Sequence, residues 1–358
     1  MANININLGD RSYPIYFYND YKSIGKCLET AKTNGKVVVI TDRNVDEYQS
    51  EAFMKEMAET GLEVNKYIIE PGEKSKNLNT VKNIYEYLIE QNLERKSALI
   101  ALGGGVVGDI TGFVSATYLR GIKFIQVPTS LLAQADSSVG GKVGVDFLGS
   151  KNIVGSFYQP SAVYINVNSL RTLPKRDLIS GLAEVIKHGI IKDEDFFEYM
   201  ENNLEKILCF DEAALQYMSK MNCQIKGRVV EEDEKETGLR AILNFGHTFG
   251  HAIESVSGFK LYHGECVSIG MVGAFKLAKY LNMTEQEHIE RAEKLFKKAG
   301  LPIKTDGLDV ETVYNQMFYD KKRKNGKLVF VLPKKIGQVF LRNVDDHNLV
   351  KKALEEIC

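Results

Sequence analysis

The sequence predicts an α/β protein in which a Rossmann-like domain with a parallel sheet precedes a mostly helical domain. In the first half, short runs rich in β-branched residues alternate with helical patterns, and such alternation implies βαβ units. After about residue 174 the pattern is helical almost throughout. The length, 358 residues, also suits two domains. We therefore expect an α/β domain over residues 1–170 and a helical domain over residues 171–358.

The elements follow from the apolar runs in chain order. Runs such as KVVVIT and SALIAL predict strands, and amphipathic segments between them predict helices to about residue 60 and over 77–92. The strands are expected at 36–41, 63–69, 97–102, 122–127 and 161–167. In the second domain, KLVFVL and QVFLR predict a hairpin.

Composition excludes several classes of protein. The net charge is −1 and no basic block stands out, so nucleic acid is not an expected partner. The five cysteines occur singly, which indicates neither a disulfide framework nor a zinc ribbon. The first residues lack the pattern of a signal peptide. The apolar segment 98–119 is long enough for a membrane span, but a cluster of four glycines and a central Asp109 favour a strand, turn and buried helix. We expect a soluble, cytoplasmic protein with no membrane contact.

A glycine-rich loop, ALGGGVVGDITG, follows a predicted strand and opens a helix. Gly103, Gly105 and Gly108 match G-x-G-x-x-G, in which backbone N–H groups reach a pyrophosphate at a helix N-terminus. Tight packing of helix on strand would also account for these glycines. No acidic residue ends the next strand, so the partner of a ribose must come from elsewhere. The candidates are Asp42, Glu73 and Lys76.

A polar cluster follows the fourth predicted strand. Residues 128–160 carry Asp136, Lys142, Lys151 and Asn152 among glycines and other small residues. Such a segment would be unremarkable as a surface loop. However, it follows the carboxyl end of a strand, where open α/β sheets bind ligands. The lysines would suit an anionic, hydroxylated substrate.

Two of the six histidines, His247 and His251, lie four residues apart in LNFGHTFGHAIES. This spacing places them on one face of a helix. They are either a pair of satisfied core histidines or part of a metal or proton-transfer site. Gly246 and Gly250 cost helix stability, so a close approach to that face is indicated, which favours the second interpretation.

Six segments in order carry a resemblance that covers nearly the whole chain: GGGVVGD, PTSLLAQADSSVGGKVGVD, KNIVGSFYQP, TLPKRDLISGLAEVIKHG, GLRAILNFGHTFGHAIE and YHGECVSIGM. Together they resemble the 3-dehydroquinate synthase family, within the sugar phosphate cyclases. The wider superfamily also contains metal-dependent glycerol-type dehydrogenases. The resemblance implies the dehydroquinate synthase-like fold of two domains.

The resemblance implies one divalent metal, zinc or cobalt, held by Glu184, His247 and His263. A carboxylate with two imidazoles suits zinc and leaves positions for substrate hydroxyls. It also implies NAD as a cofactor. The residues implied to bind NAD are Asp42, Glu73, Lys76, Gly105, Val106, Val107, Gly108, Asp109, Thr129, Ser130, Lys142, Lys151, Ser169, Leu170, Arg171 and Thr172.

The resemblance further implies a set of residues that contact the substrate: Arg120, Asp136, Lys142, Asn152, Lys187, Lys226, Arg240, Asn244 and His251. His251 faces the substrate and handles its protons instead of binding the metal, and Glu236 matches an acid that takes a proton. A lysine of DKKRKNGK, with Lys322 the first choice, contacts the phosphate.

The family reaction converts 3-deoxy-D-arabino-heptulosonate 7-phosphate to 3-dehydroquinate and phosphate in the shikimate pathway. It uses transient oxidation by NAD, phosphate elimination, re-reduction, ring opening and aldol closure, and a homodimer is usual. Three alternatives stay open: a polyol dehydrogenase, another sugar phosphate cyclase and a nucleotide-binding module without catalysis. A dehydrogenase would not need so many lysines and arginines, and a non-catalytic module would not need the metal ligands.

Overall fold

The computed structural model describes residues 2–319 and 328–358. It divides into two compact units, one of Met1–Pro174 with Phe210–Glu234 and the other of Lys175–Cys209 with Lys235–Cys358. Lys322, which we expected at the substrate phosphate, lies outside the described residues. No helix in the described ranges has the length and apolar character needed to cross a membrane.

The strands are β1 (Ala2–Ile6), β2 (Tyr13–Tyr18), β3 (Val37–Asp42), β4 (Val64–Ile69), β5 (Ala98–Gly103), β6 (Lys123–Pro128), β7 (Lys142–Phe147), β8 (Ser150–Phe157), β9 (Ala162–Asn166), β10 (Val329–Lys335) and β11 (Gln338–Asn343). Seven of them form one sheet in the order β1-β2-β9-β6-β5-β3-β4. β1 pairs with β2 antiparallel, and every other pair in this sheet is parallel. The predicted parallel sheet is confirmed. The sequence analysis missed β1 and β2, because alternating asparagines and a proline weaken the strand pattern.

The helices are α1 (Ile24–Thr30), α2 (Arg43–Val45), α3 (Glu51–Ala58), α4 (Leu78–Glu90), α5 (Gly105–Thr117), α6 (Lys175–Lys192), α7 (Glu194–Leu208), α8 (Glu212–Glu232), α9 (His247–Val256), α10 (His263–Tyr280), α11 (Gln286–Ala299), α12 (Val310–Tyr319) and α13 (His347–Glu355). Short 3₁₀ helices include Glu73–Ser75, Tyr118–Arg120, Val167–Thr172 and Leu239–Asn244. The second unit also contains the predicted hairpin, in which β10 and β11 pair antiparallel.

The central strands of the first unit are buried on both faces. Val38, Leu99 and their alternate neighbours pack into one apolar cluster, while Val37, Ile100 and theirs pack into a second. A strand that is covered on both faces is apolar along its whole length. For this reason KVVVIT and SALIAL could be recognised as strands from the sequence.

Helix α8 packs with the first unit, although the predicted boundary at residue 170 assigned it to the second. A Cβ atom on Gly227 of α8 would lie 2.5 Å from the side chain of Ile6 in β1. The side-chain amide of Asn222 also donates to the carbonyl of Ala135 at 2.6 Å. Helical periodicity indicates that one face of α8 is buried, but it carries no information on which element covers that face.

Part of the polar segment 128–160 is a hairpin instead of a loop. β7 and β8 pair antiparallel, and Lys142 lies opposite Phe157. Gly144 and Gly155 face each other, where a Cβ on Gly144 would come 2.7 Å from a backbone oxygen of β8. The glycines therefore permit close pairing of two strands. In the sequence, however, a glycine-rich segment looks like a loop.

Helices α9 and α10 of the second unit are in very close contact. Gly246 begins α9 at a φ of +80°, and a Cβ there would lie 2.5 Å from the side chain of Met271. A Cβ on Gly250 would lie 2.9 Å from the carbonyl oxygen of Cys266, and one on Gly270 would overlap the carbonyl of Gly246. The close approach that these glycines indicated is thus made by the neighbouring helix.

We expect Gly270→Ala to lower the stability of the second unit by about 1–3 kcal/mol, because the added methyl group meets backbone that cannot move without separating α9 from α10. Gly25→Ala is the matched control, since Gly25 lies in α1 with its nearest neighbour 3.8 Å from the added carbon. Thermal and urea unfolding would measure the stability of both variants against wild type. Equal midpoints for the two variants would contradict the close packing of α9 on α10.

Candidate functional site

The glycine loop leads directly from β5 into α5. A Cβ on Gly103 would lie 2.6 Å from Val107, and one on Gly108 would lie 2.8 Å from Gln126, so both glycines are required by packing. Gly104 and Gly105 instead face the hydroxyls of Ser130 and Ser137, at 3.4 and 3.3 Å from an added Cβ. The first N–H groups of a helix have no partner within it and attract anions. The loop therefore fits both interpretations: Gly103 and Gly108 pack against apolar and amide side chains, and Gly104 and Gly105 lie beside serine hydroxyls at the N-terminus of α5.

Two residues expected at the nucleotide form a buried ion pair. The Nζ atom of Lys76 lies 2.6 Å from Asp109, the fifth residue of α5, and 3.8 Å from Glu73. Burial raises the pKa of Asp109 to about 6, against the opposing effect of Lys76. Burial would lower the pKa of Lys76, but the neighbouring carboxylates of Asp109 and Glu73 together outweigh it and raise that pKa. Both groups are therefore charged at neutral pH.

Lys76 also connects the loop after β4 to the hairpin, because its carbonyl accepts a hydrogen bond from the N–H of Asp146 at 2.8 Å. The side chain of Asp146 accepts in turn from the N–H of Asn152 at 2.7 Å. Lys142 and Lys151 are exposed on the same hairpin. Within the first unit, Lys76 and Asp146 thus connect the loop after β4, helix α5 and the β7–β8 hairpin, which all carry predicted nucleotide or substrate residues.

Asp42 ends β3 and caps the short helix that follows. Its Oδ1 atom accepts from the N–H groups of Asn44 and Val45 at 2.9 and 3.0 Å, and burial raises the pKa of its carboxyl. The carboxylate is therefore fixed at the carboxyl end of the sheet, where a ribose partner was sought. Of the other predicted nucleotide residues, Thr129 and Ser130 follow β6, and Ser169, Leu170, Arg171 and Thr172 lie in a 3₁₀ helix after β9.

Asp136 and Lys226, both expected at the substrate, form another pair in the first unit. Lys226 on α8 is 4% exposed, and its Nζ lies 2.7 Å from the carboxylate of Asp136. The contact is one of those that hold α8 against this unit. Arg120 is exposed at the end of a 3₁₀ helix, with a φ of +67°.

The second unit brings Glu184, His247 and His263 together. Glu184 lies in the middle of α6, while the two histidines are the first residues of α9 and α10. The Nε2 atoms of His247 and His263 each lie 3.6 Å from Oε1 of Glu184. The carboxylate is fully buried, and neither of its oxygens has a well-aligned hydrogen bond in the described part of the chain.

These distances fit a bound cation. A separation of 3.6 Å is too long for a hydrogen bond. Two ligands of one tetrahedral metal, each about 2.1 Å from it, lie roughly 3.4 Å apart. One carboxylate and two imidazoles are also a common ligand set for zinc. The trio therefore fits a divalent metal.

The surrounding charges set the protonation of the trio. Burial would raise the pKa of Glu184, but Lys187 and the two imidazoles outweigh it and hold that pKa well below its ordinary range. Burial and the charge of Lys187 lower the pKa of His247. Burial would also lower the pKa of His263, but the carboxylates of Glu184 and Glu254 raise it to about 9. An ionised carboxylate and a neutral His247 are the forms that a metal binds.

His251 stands one turn along α9 from His247, and their ring centroids are 5.1 Å apart. The predicted helical pair is confirmed. His251 also belongs to a second cluster, with Glu254 and His263, whose ligand atoms lie within 4.8 Å of one another. The two clusters share His263, so among the described residues of the second unit geometry alone offers two places for a metal.

The remaining predicted residues of this unit lie near the start of α9 or on α6. Lys187 is 1% exposed and forms an ion pair with Glu184. Arg240, which is 2% exposed, lies in the 3₁₀ helix that also ends with Asn244. The side-chain amide of Asn244 donates to Glu236 at 2.8 Å.

Sequence reasoning missed the residues that hold the start of α10. Glu265 accepts from the N–H of Tyr262 at 2.8 Å, and the guanidinium of Arg176 pairs with Glu265 through Nε at 2.7 Å. The N–H of Gly264 donates to the hydroxyl of Ser180 at 3.0 Å. The available signal was a glutamate three residues after Tyr262, but a capping box ordinarily begins with serine or threonine.

Among solved structures, the fold is shared by two classes of enzyme. A 2-deoxy-scyllo-inosose synthase complexed with carbaglucose-6-phosphate, NAD+ and Co2+ matches at 26% identity and a TM-score of 0.92, with 100% of each chain covered. A probable glycerol dehydrogenase from Sinorhizobium meliloti matches at 15% identity and a TM-score of 0.67, with 96% of this chain and 95% of that chain covered. The second likeness shows the fold alone. The fold is therefore that of sugar phosphate cyclases and related dehydrogenases.

The family follows from sequence comparison. Family models described as 3-dehydroquinate synthase N-terminal and C-terminal match residues 66–180 and 181–323. A 3-dehydroquinate synthase from Acetivibrio thermocellus is 60% identical over 358 residues, which are 100% of this chain and 99% of that protein. The chain belongs to the 3-dehydroquinate synthase family, and the resemblance in its motifs is confirmed.

We expect Glu184→Gln, His247→Ala and His263→Ala each to weaken zinc or cobalt binding by more than about 100-fold, since loss of a direct ligand exceeds the 10–100-fold effect of an outer partner. His251→Ala should retain the metal, because the first cluster does not include it. Elemental analysis after dialysis against a chelator would measure this. A metal-free His251→Ala protein, with Glu184→Gln still loaded, would place the ion in the second cluster.

We expect Lys76→Met to destabilise the first unit, because Asp109 is left buried without its partner. Asp109 of the variant has a raised pKa, so it stays protonated in the folded chain at low pH, and the stability deficit should grow as pH rises from 5 to 8. Combining Lys76→Met with Asp109→Leu should restore much of the loss. Lys74→Met, at an exposed lysine, is the control. Thermal unfolding at several pH values would check the trend, and a pH-independent deficit would contradict it.

Proposed function

We propose that this protein converts 3-deoxy-D-arabino-heptulosonate 7-phosphate to 3-dehydroquinate and phosphate, with NAD and one divalent metal as cofactors. The observation that carries the proposal is the cluster of one buried carboxylate and two imidazoles in a chain of this family. The related cyclase that holds NAD+ and Co2+ supports both cofactors. Biosynthesis of aromatic amino acids is the corresponding pathway.

The proposed cofactors supply the redox and Lewis-acid chemistry. When bound, NAD would supply the hydride-transfer chemistry for a transient oxidation of the C5 alcohol, and the metal would supply Lewis-acid chemistry at a substrate hydroxyl. Glu184, His247 and His263 would hold the metal. The N-terminus of α5, with Gly104, Gly105 and the hydroxyls of Ser130 and Ser137 beside it, would bind the pyrophosphate.

The chain's own residues bind the anionic groups of the substrate and move its protons. Five basic side chains would hold the carboxylate and the phosphate, arginines by bidentate contacts and lysines as point charges; they are Arg120, Lys142, Lys187, Lys226 and Arg240. His251 would accept or relay a proton, for which an imidazole is suited near neutral pH. Asn244, paired with Glu236, would orient the acid that takes a proton.

Other parts of the proposal rest on the family. They are the substrate contacts of Asp136 and Asn152, the nucleotide contacts of residues 169–172, a homodimeric assembly and a cytoplasmic location. The division of labour between residues 1–170, for NAD, and residues 171–358, for metal and substrate, is also proposed. The predicted substrate residues Arg120, Asp136, Lys142 and Asn152 depart from it, because they lie in the first range. Lys226 lies in the second range, but on α8, which packs with the first unit.

A polyol dehydrogenase is the second candidate, and its reaction has a different outcome for the cofactor. With the heptulosonate phosphate, NAD and metal, we expect phosphate release without accumulation of NADH, because the hydride returns to the carbon that it left. Phosphate should be measured by a coupled assay and NADH by absorbance. Removal of NAD should abolish release. Stoichiometric NADH with this substrate would favour the dehydrogenase, and no turnover here but turnover of another sugar phosphate would indicate a different cyclase.

We expect His251→Ala to keep its metal and its NAD affinity but to lose kcat by about 100-fold or more, which is typical for an acid–base group. His247→Ala should lose metal as well. Steady-state phosphate release and titration of NAD binding would separate the two effects. A His251→Ala enzyme with normal kcat would contradict the proposed proton-handling role.

A further inference from the structure

The two histidines of the metal cluster each have an acceptor beside their second nitrogen. The Nδ1 atom of His247 lies 3.0 Å from the carbonyl oxygen of Phe245. The Nδ1 atom of His263 lies 3.7 Å from Oε2 of Glu254. The Nε2 atoms of both rings face Glu184. A metal-binding imidazole coordinates through one nitrogen and donates the N–H of the other to an acceptor. His247 has that acceptor at hydrogen-bond distance, and His263 has a carboxylate on the corresponding side at ion-pair distance.

Glu254 is placed for this task by its helix. It lies on α9, is 8% exposed, and is separated by seven residues from His247, or two turns. His263 begins α10, and the glycine contacts between α9 and α10 fix the two helices against each other. A buried carboxylate is costly unless a charge or a hydrogen bond compensates it. The imidazole of His263 supplies that compensation.

We propose that Glu254 is a positioning residue that accepts the Nδ1–H of His263 and thereby directs Nε2 of this ring to the metal. The inference rests on the metal site of the proposed function. The negative charge of Glu254 would also make His263 a more basic ligand. Phe245 provides the same orientation to His247 through a neutral carbonyl.

The alternative role for Glu254 is direct coordination, together with His251 and His263. The geometry instead favours a Glu254 that contacts His263 and not the metal itself. Oε1 of Glu184 is equidistant from two Nε2 atoms, at 3.6 Å from each, as expected for ligands of one ion. The ring of His263 turns Nε2 toward Glu184 and Nδ1 toward Glu254, and one ring cannot give both nitrogens to the same ion. His251 is exposed, whereas Glu184 is fully buried.

The test compares zinc affinity in the full chain. Metal-free wild type, Glu254→Gln and Glu254→Leu are titrated with Zn2+ in competition with a chromophoric chelator. We expect one zinc per chain in all three, with Kd weakened about 10–100-fold in Glu254→Gln and at least as much in Glu254→Leu. Glu293→Gln is the matched control, because Glu293 is a largely buried carboxylate of the same unit that pairs with Lys276 at 3.1 Å. Its Kd should stay within about twofold of wild type.

The outcomes separate the inference from the proposed function. Wild type that binds no zinc overturns the metal site, and the inference with it. If wild type binds zinc tightly and both Glu254 variants have the same Kd, the inference alone is overturned. It is also overturned if wild type binds two zinc ions and the Glu254 variants bind one. Thermal unfolding of the metal-free proteins shows whether the variants fold. If they do not, a crystal structure of the zinc-loaded wild type decides: Nδ1 of His263 within about 3.2 Å of Glu254 supports the role, and a Glu254 oxygen bonded to zinc overturns it.

Discussion

The second unit depends on the burial of one negative charge, the carboxylate of Glu184. A carboxylate that is removed from water requires positive groups close to it. Lys187, one turn along the same helix, and the imidazoles at the starts of α9 and α10 supply them. Because these charges come from three helices, the packing of the helices and the electrostatics of the cluster constrain each other. The glycines between α9 and α10 are therefore part of the site, although they contact no ligand.

In the first unit, buried carboxylates are also neutralised by nearby positive charges, here in ion pairs with lysines. Lys76 with Asp109, and Lys226 with Asp136, are largely buried pairs that connect separate segments of the chain. A buried pair contributes little net stability but penalises every arrangement in which the partners separate. Such pairs fix the geometry of the loops around the carboxyl ends of the strands. They also hold in place the charges that we propose bind the nucleotide and the anionic substrate.

Much of this structure could be predicted where a local pattern carries the information. Strands buried on both faces are continuous apolar runs, and the spacing of His247 and His251 follows from the helical repeat. The proposed metal ligands Glu184 and His263 have no such local signal and were predicted only through the family motifs. The hairpin β7–β8 was not predicted, because the glycines that allow its strands to pair closely give it the composition of a loop. Two features depend on contacts between residues distant in sequence: the packing partner of α8, and the position of Glu254 beside His263. Periodicity in the sequence carries no information on such contacts.

The position of α8 has a consequence for synthesis of the protein. The first unit is discontinuous in sequence, since residues 210–234 return to it after a segment of the second unit. On the ribosome, domains generally fold as units as they emerge. This unit cannot be completed until residue 234 has left the exit tunnel, by which time α6 and α7 have already been made. Until then, the side of β1 that α8 covers is open to water and to other nascent chains.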